Sequence, residues 1–394
     1  MRKRAVFLLI IIVVCLCTGG CAARGLFANG VDPGQLQLIQ TLGIDRPDGE
    51  TVRLSAASGA DVGEREPAIL SAEGRSVSEA LELMQNYAPR ETLYFAHTQY
   101  LLLGEDCARA GASPWLDYVR RLPQMRTGVK LFVVHGADAA ALICGSGDGQ
   151  YDVSDKLHAL LRELEKQTGA RVYTCAEVSR RLAENGAALV SAVDAAESSG
   201  VLYSGGGLSA LSTGYGVLRG DRLVGWLRGD AAKAVGLLEG TLCGGPLTLR
   251  ADDGSLAAVN LLGCETAVLP RWDADGTLRG LRVETRLRAA LTETASPELL
   301  ARPDCTEMLA DALARRAEGW LRAVLGFSQA EQADFLALGQ RVRRADPRRF
   351  DAMPQPFSAL LPALEIETAV TAELLHGYDG RVPLPAGGAA EADA

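Results

Sequence analysis

One cysteine near the N-terminus stands in a pattern that predicts chemistry at its sulfur atom. Cys21 follows Gly19 and Gly20, and these follow a basic start, "MRKR", and the apolar run "AVFLLIIIVVCLCT". This is the layout of an export signal. Small side chains before a cysteine suit a signal peptidase that cuts ahead of it, so that the cysteine becomes a new N-terminus carrying a lipid. The arrangement resembles a bacterial lipobox, except that Thr18 stands where leucine is usual.

The apolar run is short for a permanent membrane span. At about 1.5 Å per residue it covers roughly 21 Å as a helix, whereas the hydrocarbon core of a bilayer is about 30 Å thick. The sequence therefore predicts a lipoprotein signal peptide over residues 1–20 and a lipid anchor such as palmitate on Cys21. The alternative is an uncleaved N-terminal anchor. Both place the rest of the chain outside the cytoplasm and attached to the membrane.

The charge balance favours a lipid anchor over electrostatic adhesion. The 394-residue chain has a net charge of −9, and loss of Arg2, Lys3 and Arg4 with the signal peptide lowers it to −12. Nucleic acid and anionic lipid both repel such an acidic body. We therefore expect no nucleic-acid partner, and a membrane attachment that depends on the acyl chains at Cys21.

The histidines do not form a metal-binding motif. His97, His135, His158 and His376 lie far apart, and none is part of an H-x-x-x-H pair or lies beside a cysteine pair. No metal site is predicted from them.

Two further patterns are explained more simply by turns than by binding. In "WDADGT", Asp273 and Asp275 could open a calcium loop, but the third acidic ligand and the distal glutamate are missing. The glycine-rich "CGSGDGQ", residues 144–150, has neither the Lys-Ser/Thr of a Walker loop nor the spacing of a dinucleotide loop. Asp-Gly pairs beside strand-like segments predict hairpin turns, and the glycine-rich stretch predicts a linker.

The residues also offer no set of groups for nucleophilic catalysis. Ser209 lies in G-L-S-A-L, which does not match the G-x-S-x-G nucleophile elbow. Apart from Cys21, the cysteines that follow the signal peptide are scattered singly without a C-x-x-C pair, which favours free, buried thiols over disulfides: Cys107, Cys144, Cys175, Cys243, Cys264 and Cys305. We therefore predict no enzyme activity, no cofactor and no metal.

The elements that position these residues alternate between helix and strand. "TVRLSAAS" and "GVKLFVVHG" have the composition of strands, and the helix after Ser76 has Glu79 in the capping-box position. Later, alternating apolar and charged residues along 281–291 predict a strand with one exposed face. A long helix is predicted from Asp304, with Glu307 as its capping partner, and "GVLRGDRLVGWL" predicts a hairpin with Trp226 packed inward or available to a partner.

The predicted fold class is α+β, with three consecutive mixed α/β domains whose sheets are largely antiparallel or mixed. About 370 residues are too many for one typical core. The expected boundaries are residues 21–145, 150–240 and 241–380, and the tail 381–394 is expected to be disordered.

Several segments along the chain resemble the Ger(x)C family, the C-subunit lipoproteins of bacterial spore germinant receptors. The segments that carry the resemblance are, in order, "TLGIDRPDGE", "APRETLYFAHTQYLLLGEDCARAG", "LPQMRTGVKLFVVHG", "GYGVLRGDRLVGWLRGDAAKAVGLLEG", "EQADFLALGQRVRRADPRRF" and "LEIETAVTAELLHG". Two departures stand out: "AARGLFANGVDPGQ" lacks the family's Trp-Asp-x-x-Glu-type motif, and Phe350 and Phe357 lie where a tryptophan is usual near the late P-R segment.

The resemblance implies a non-enzymatic subunit with three α+β domains, held by its lipid on the outer face of the spore inner membrane. It also implies assembly with two integral-membrane partners, the A and B subunits of the receptor. The segments around Asp221 and Arg344 are candidate contacts with these partners.

Two other classes remain open from sequence alone. A solute-binding lipoprotein of a transporter requires a cleft between two similar lobes, and no internal repeat supports such lobes. An extracytoplasmic hydrolase requires a nucleophile or metal site, which the residue patterns do not supply.

Overall fold

The computed structural model describes residues 36–58, 68–88, 92–122, 124–145, 153–164, 170–196, 209–251, 254–294, 299 and 302–375. The side chains of 195–196 and 209–213 lie outside this description. The predicted signal peptide, Cys21 and the tail 381–394 lie outside it as well.

Thirteen strands form two sheets within the described residues. They are β1 Leu36–Asp45, β2 Val52–Ser58, β3 Ile69–Gly74, β4 Thr92–Tyr94, β5 Tyr100–Leu103, β6 Lys130–His135, β7 Ala187–Ala196, β8 Ser209–Arg219, β9 Arg222–Leu227, β10 Pro246–Arg250, β11 Leu256–Trp272, β12 Leu278–Thr294 and β13 Glu365–Leu375.

Eleven α-helices of very different length connect and cover these strands in the described part of the chain. They are α1 Val77–Tyr87, α2 Glu105–Ala110, α3 Ser113–Arg121, α4 Ala139–Gly145, α5 Val153–Glu163, α6 Cys175–Asn185, α7 Asp230–Glu239, α8 Cys305–Ala330, α9 Leu338–Ala345, α10 Pro347–Asp351 and α11 Phe357–Leu360. Short 3₁₀ turns lie at Phe95–His97 and Leu361–Ala363.

The larger sheet has nine strands and is mixed. Its order is β3-β2-β1-β5-β6-β7-β8-β9, with β4 paired to β1. The central strands β1, β5, β6 and β7 are parallel, and the flanking pairs are antiparallel. Helices cover both faces of the parallel part, which explains why β5 and β6 are apolar at nearly every position.

The smaller sheet has the order β10-β11-β12-β13. β10, β11 and β12 are antiparallel, whereas β12 and β13 are parallel, and the crossover between them contains α8. As predicted, β12 buries Leu281, Val283 and Leu287 and exposes Arg282 and Arg286. The predicted α+β class with mixed sheets is therefore confirmed.

The larger sheet runs through the expected boundary between the first two domains. β6 precedes the linker at 146–150 and β7 follows it, yet the two strands are adjacent parallel partners with Val133 opposite Ala192. One contiguous set of buried apolar residues also extends from Ile39 to Leu374. The division into three domains stays a prediction.

The local signals for helix starts are correct in position but not always in their hydrogen bonds. Ser76 accepts a hydrogen bond from the N–H of Glu79 at 3.2 Å, as predicted, but Glu79 accepts from the N–H of Arg75 and not of Ser76, so that the predicted capping box is only half formed. The long helix α8 begins after Asp304, but the Asp304 side chain makes no capping bond and instead pairs with Arg302 at 2.9 Å. The predicted cap at Asp304 is therefore wrong, because a neighbouring guanidinium binds the carboxylate.

The six described cysteines are thiols and not disulfides, as predicted. Cys107, Cys175 and Cys305 are buried, Cys243 and Cys264 are half-buried, and Cys144 is exposed. The prediction that these thiols are buried is therefore correct for three of the six.

Candidate functional site

The carboxyl ends of the parallel strands bring polar residues together at one edge of the larger sheet. β1 ends at Asp45, Gly104-Glu105 follows β5, and β6 ends at His135. In open sheets with parallel strands this edge is where ligands commonly bind. The candidate site is therefore centred on these side chains.

Asp45 is buried and holds the start of a helix. Its two carboxylate oxygens accept hydrogen bonds from the N–H groups of Ala139 and Ala140, at 2.7 and 2.8 Å, in the first turn of α4. The pKa of Asp45 is raised above its usual value, because the effect of burial is larger than the lowering by these two hydrogen bonds. Its role here is to satisfy backbone donors that α4 leaves unpaired.

Two glycines allow the close approach around Asp45. A Cβ atom on Gly104 would lie 2.1 Å from Asp45 Oδ1, and one on Gly43 would lie 2.7 Å from Ile143 Cδ1. Any larger residue at either position would therefore push β1, β5 and α4 apart. The G-I-D and G-E segments of the sequence thus join the strands and α4 at this edge.

Glu105 extends the same junction to β6. Its Oε2 atom accepts a hydrogen bond from the N–H of Gly136 at 2.7 Å, and its Oε1 atom pairs with Arg109 at 2.6 Å. Partial burial raises the pKa of Glu105, but the bonds from Gly136 and Arg109 outweigh it and leave that pKa lowered.

His135 lies in an ion-pair cluster at the end of β6. Its Nδ1 atom is 3.0 Å from Asp194 Oδ1 and 2.6 Å from Arg228, while Arg228 also bonds Asp194 at 2.9 Å. The Trp226 ring packs edge-on against the imidazole with 4.7 Å between centroids. These contacts join β9 to β6 and β7. They involve a carboxylate, a guanidinium and an indole, and so do not form the nucleophile-and-base pair that a triad needs.

A second polar cluster, the polar junction, links α6, α7 and the segment after α8. We define it as Tyr173, Arg181, Glu239 and Arg341. Glu239 Oε1 accepts hydrogen bonds from Arg181 at 2.7 Å and from the Tyr173 hydroxyl at 2.8 Å. Arg181 also lies over the Tyr173 ring at 4.5 Å and reaches the carbonyl of Phe335 at 3.5 Å.

Arg341 adds a bond between α9 and α7. Its guanidinium donates to the carbonyl oxygen of Leu238. Because Tyr173 and Arg181 precede residue 240 and Arg341 follows it, the polar junction connects the regions expected to form the middle and C-terminal domains.

Asp334 lies beside the polar junction and caps α9. Its carboxylate accepts hydrogen bonds from the N–H groups of Leu338 and Gly339 at 2.7 and 2.8 Å. Burial raises the pKa of Asp334 to about 7. The two backbone hydrogen bonds and the charges of Arg341 and Arg181 oppose this rise but do not cancel it.

The segment around Asp221 forms a tight hairpin that contacts its own chain. Gly220 has φ of 60°, as the first residue of a two-residue hairpin turn of this kind requires, and Arg219 pairs with Arg222 across it. The carbonyl of Asp221 accepts a hydrogen bond from the N–H of Ala112 at 2.7 Å. An open groove of about 500 Å³ lies beside the turn, between α3 and α6, with Leu116 on its floor.

The segment around Arg344 is exposed. Arg343, Arg344, Arg348 and Arg349 point to solvent from α9 and α10, and the buried Val342 fixes the face that α9 turns inward. This segment is therefore available for contact with another molecule.

A cavity of about 210 Å³ lies between β7, β8 and α7. Ser191 lines this cavity and is 4% exposed, and its hydroxyl forms no hydrogen bond with the described residues. The rest of the lining is mainly apolar and includes Tyr215 and Gly229. The volume is below that of most ligand pockets and is sufficient for ordered water bound to Ser191.

The other residues considered in the sequence have ordinary structural positions or lie outside the described residues. Asp273 pairs with Arg279, and Asp275 accepts from the N–H of Thr277, so both carboxylates stabilise the hairpin turn that was predicted. His376, residues 146–150 and the side chain of Ser209 lie outside the described residues. Within the described residues, no group of His, Cys, Asp and Glu side chains is arranged to hold a metal ion.

Comparison with known proteins assigns the class. A family model described as the spore germination protein N-terminal domain matches residues 30–195, and one described as spore germination B3/GerAC like, C-terminal, matches residues 213–377. Both define spore germination proteins. The chain belongs to the Ger(x)C family of spore germination proteins.

One solved structure supports the same fold. The crystal structure of the GerBC protein is 15% identical, and the match covers 85% of this chain and 97% of that chain with a TM-score of 0.57. A search of curated proteins gave no match. The family recognised from the sequence is therefore confirmed, and the described G-I-D and G-E residues have structural roles in this chain.

Proposed function

We propose that this protein is a non-enzymatic, lipid-anchored subunit of a spore germinant receptor, which assembles with integral-membrane A and B subunits at the outer face of the spore inner membrane. The observation that carries the proposal is the match of both germination family models, in order, along residues 30–195 and 213–377. The proposed role is to hold membrane partners in an assembly.

The lipid anchor on Cys21 is supported by the small residues before it and the apolar run before those. Among the described helices, none has both the length and the apolar composition that a bilayer crossing demands. Replacing Cys21 with Ala should abolish lipid labelling and signal cleavage at that site. Cys17→Ala is the matched control, because Leu16 before Cys17 is a poor cleavage neighbour, and it should label normally. Lipid labelling that persists in Cys21→Ala would refute the anchor.

The polar clusters support a scaffolding role. The polar side chains of Asp45, Glu105, Arg181, Glu239 and Asp334 all bond backbone groups or other side chains of the same chain. Groups used in this way make a rigid body with fixed surfaces, which is what an assembly subunit requires.

The assembly can be tested by co-purification. Deletion in a spore-forming host should abolish the response to one class of germinant, and the tagged protein should recover two integral-membrane subunits from spore membranes. Normal germination of the deletion strain with every germinant would contradict the proposal, as would hydrolytic turnover that a single substitution removes.

The groove beside Asp221 is the proposed contact with these subunits, because it has an apolar floor and a charged rim with Asp117 and Arg120, as protein interfaces do. Ala183→Arg would place a large side chain in this groove from an exposed position and should reduce recovery of the partners. Ala267→Arg, which adds the same side chain at an exposed position on β11, is the control and should not. Equal recovery of the membrane subunits with both variants would show that the contact lies elsewhere on the protein.

A further inference from the structure

A short basic segment stands out on an acidic protein. Residues 341–351, "RVRRADPRRFD", contain five arginines and two aspartates, a local charge of +3 in a chain of −9. We call residues 341–351 the basic segment. Because Debye screening limits charge effects to about 10 Å at ordinary salt, a ligand near this segment responds to the local charge and not to the net charge.

The fold turns most of these arginines outward. Leu338 and Val342 are buried on the inner face of α9, so that Arg343 and Arg344 emerge on the solvent side, and α10 exposes Arg348 and Arg349. The side chain of Arg341 is the exception, since it bonds the Leu238 carbonyl in the polar junction.

Internal ion pairs neutralise the basic segment only weakly. Arg343 lies 3.1 Å from Asp351 and Arg349 lies 3.7 Å from Asp346, and three of these four side chains are more than half exposed. Exposed pairs of this kind contribute little. Among the described residues, Arg344 and Arg348 form no ion pair with an acidic side chain.

The β11–β12 turn, which contains two aspartates, lies beside the basic segment. Arg349 lies 5.9 Å from the Trp272 ring, which places α10 beside the β11–β12 turn. In that turn Asp273 pairs with Arg279, and Asp275 accepts from the N–H of Thr277. Among the described residues, neither carboxylate of this turn forms an ion pair with Arg344 or Arg348.

We propose that the basic segment binds the phosphates of anionic phospholipid headgroups and so determines which face of the body lies against the membrane. This inference rests on the proposed anchor at Cys21. The planar, forked guanidinium groups of arginine match phosphate oxygens in geometry as well as charge.

The anchor alone leaves the orientation of the body open. Fifteen residues lead from Cys21 to Leu36 and can span at most about 50 Å when extended, so that a lipid at Cys21 does not by itself fix which face meets the bilayer. An anionic membrane surface repels the acidic remainder of the body and attracts the basic segment. Electrostatics therefore favours the orientation in which the basic segment lies against the membrane.

The surface chemistry favours lipid over a protein partner at this place. Stable protein interfaces form around a desolvated apolar centre. The exposed large apolar side chains of the described residues all lie outside the basic segment: Leu83, Tyr87, Leu256, Leu262, Leu269 and Leu375. A headgroup layer requires only charge and hydrogen-bond donors.

The test uses the full-length protein purified from its host membranes, on two kinds of vesicle, one of phosphatidylcholine alone and one that also contains phosphatidylglycerol. Flotation reports whether the protein stays on the vesicles, and hydrogen exchange read by mass spectrometry reports on residues 338–353. We expect amide exchange in 338–353 to slow about tenfold on the anionic vesicles relative to the neutral ones, and high salt to remove the difference.

Charge reversal makes the test specific. Arg344→Glu combined with Arg348→Glu should remove the slowing, because both side chains are exposed and the fold does not depend on them. Arg126→Glu combined with Arg162→Glu makes the same change of charge at exposed positions elsewhere on the protein. This control variant should still show slowed amide exchange on the anionic vesicles.

The outcomes separate this inference from the anchor. Flotation with both vesicles but identical exchange would overturn the inference and leave the anchor intact. Flotation with anionic vesicles alone, together with slowed exchange, would support the basic segment and overturn the anchor. Absence of flotation with either would overturn both. Slowed exchange only when the membrane subunits are added, whatever the lipid, would assign the basic segment to a protein partner and overturn the lipid proposal.

Discussion

At the scale of single residues, two buried carboxylates act on the backbone. Asp45 and Asp334 are 1% and 3% exposed, and each accepts hydrogen bonds from two consecutive N–H groups at a helix start. A helix leaves its first N–H groups without partners in the helix itself. Where that end is buried, a side-chain acceptor replaces the water that an exposed helix would use.

Replacing Asp45 with Ala should lower the free energy of unfolding by about 2–5 kcal/mol, because it leaves two buried N–H groups without acceptors. Urea unfolding of the purified protein measures the change. Asp117→Ala is the control, since Asp117 only forms an exposed pair with Arg121, and it should change stability by less than about 0.5 kcal/mol. Similar stability of the two variants would show that the hydrogen bonds to Asp45 do not stabilise the start of α4.

Asp334 should make stability depend on pH. Its native-state pKa is raised to about 7, so between its unfolded value near 3.8 and about pH 7 the native state holds the extra proton. The free energy of unfolding therefore falls as pH rises through that window. Relative to Asp334→Asn, the wild type should be about 2–3 kcal/mol more favoured at about pH 5 than at about pH 7.5.

Urea unfolding of both proteins at the two pH values measures this effect. Asp117→Asn, at an exposed site, should follow the wild-type pH profile and serves as control. A wild-type advantage over Asp334→Asn that stays constant with pH would rule out titration of Asp334 as the cause.

At the scale of elements, helices from distant parts of the chain are joined through the polar junction. The side chains of Arg181 and Glu239 are only 10% and 13% exposed, and they connect α6 to the end of α7. Removing one partner of an ion pair buried to this degree lowers the stability of the fold, because the other charge is left buried without a partner. The contact of Arg181 with the Phe335 carbonyl extends the link to the segment that precedes α9.

Arg181→Met and Glu239→Gln should each lower the free energy of unfolding by about 3–5 kcal/mol, since each leaves a buried partner uncompensated. The double variant should cost at least about 1 kcal/mol less than the sum, because the two side chains interact directly. Urea unfolding of the four proteins gives the coupling. The exposed pair Arg121 and Asp117 provides a comparison cycle, for which we expect about 0.5 kcal/mol or less. Additive costs for Arg181 and Glu239 would mean that the pair does not act as a unit.

At the scale of the whole molecule, the larger sheet and the shared core make one body of regions that look separate in the sequence. β6 and β7 are parallel neighbours although α4, α5 and α6 lie between them in the chain. Parallel pairing requires such a crossover, and it makes each strand depend on the other for its hydrogen bonds.

We expect the most protected amides of β6 and β7 to open in the same transition, with opening free energies equal within about 1 kcal/mol. Native-state hydrogen exchange across a denaturant series measures these values. The amides of β11 and β12, in the smaller sheet, provide the internal comparison and can differ. Opening of β6 in a separate, less stable step would show that the region before residue 146 unfolds independently.

The sequence by itself determined the local elements and the family. Apolar periodicity and turn residues predicted β2, β6, the exposed charged face of β12 and the Asp-Gly turns at Gly49 and Gly276, because these depend on neighbours in the chain. The ordered segments from "TLGID" to "AVTAELL" were sufficient to recognise the Ger(x)C family, which the family models confirm.

Only the tertiary structure decided what the polar residues do. Asp45 and Ala139 are 94 positions apart and Arg181 and Glu239 are 58 apart, so no local pattern could pair them, and the His135, Asp194 and Arg228 cluster gave no signal in the sequence. The pairing of β6 with β7 is equally distant. Local propensity acts over a few residues, whereas these contacts form only when the packed core brings remote segments within hydrogen-bonding distance.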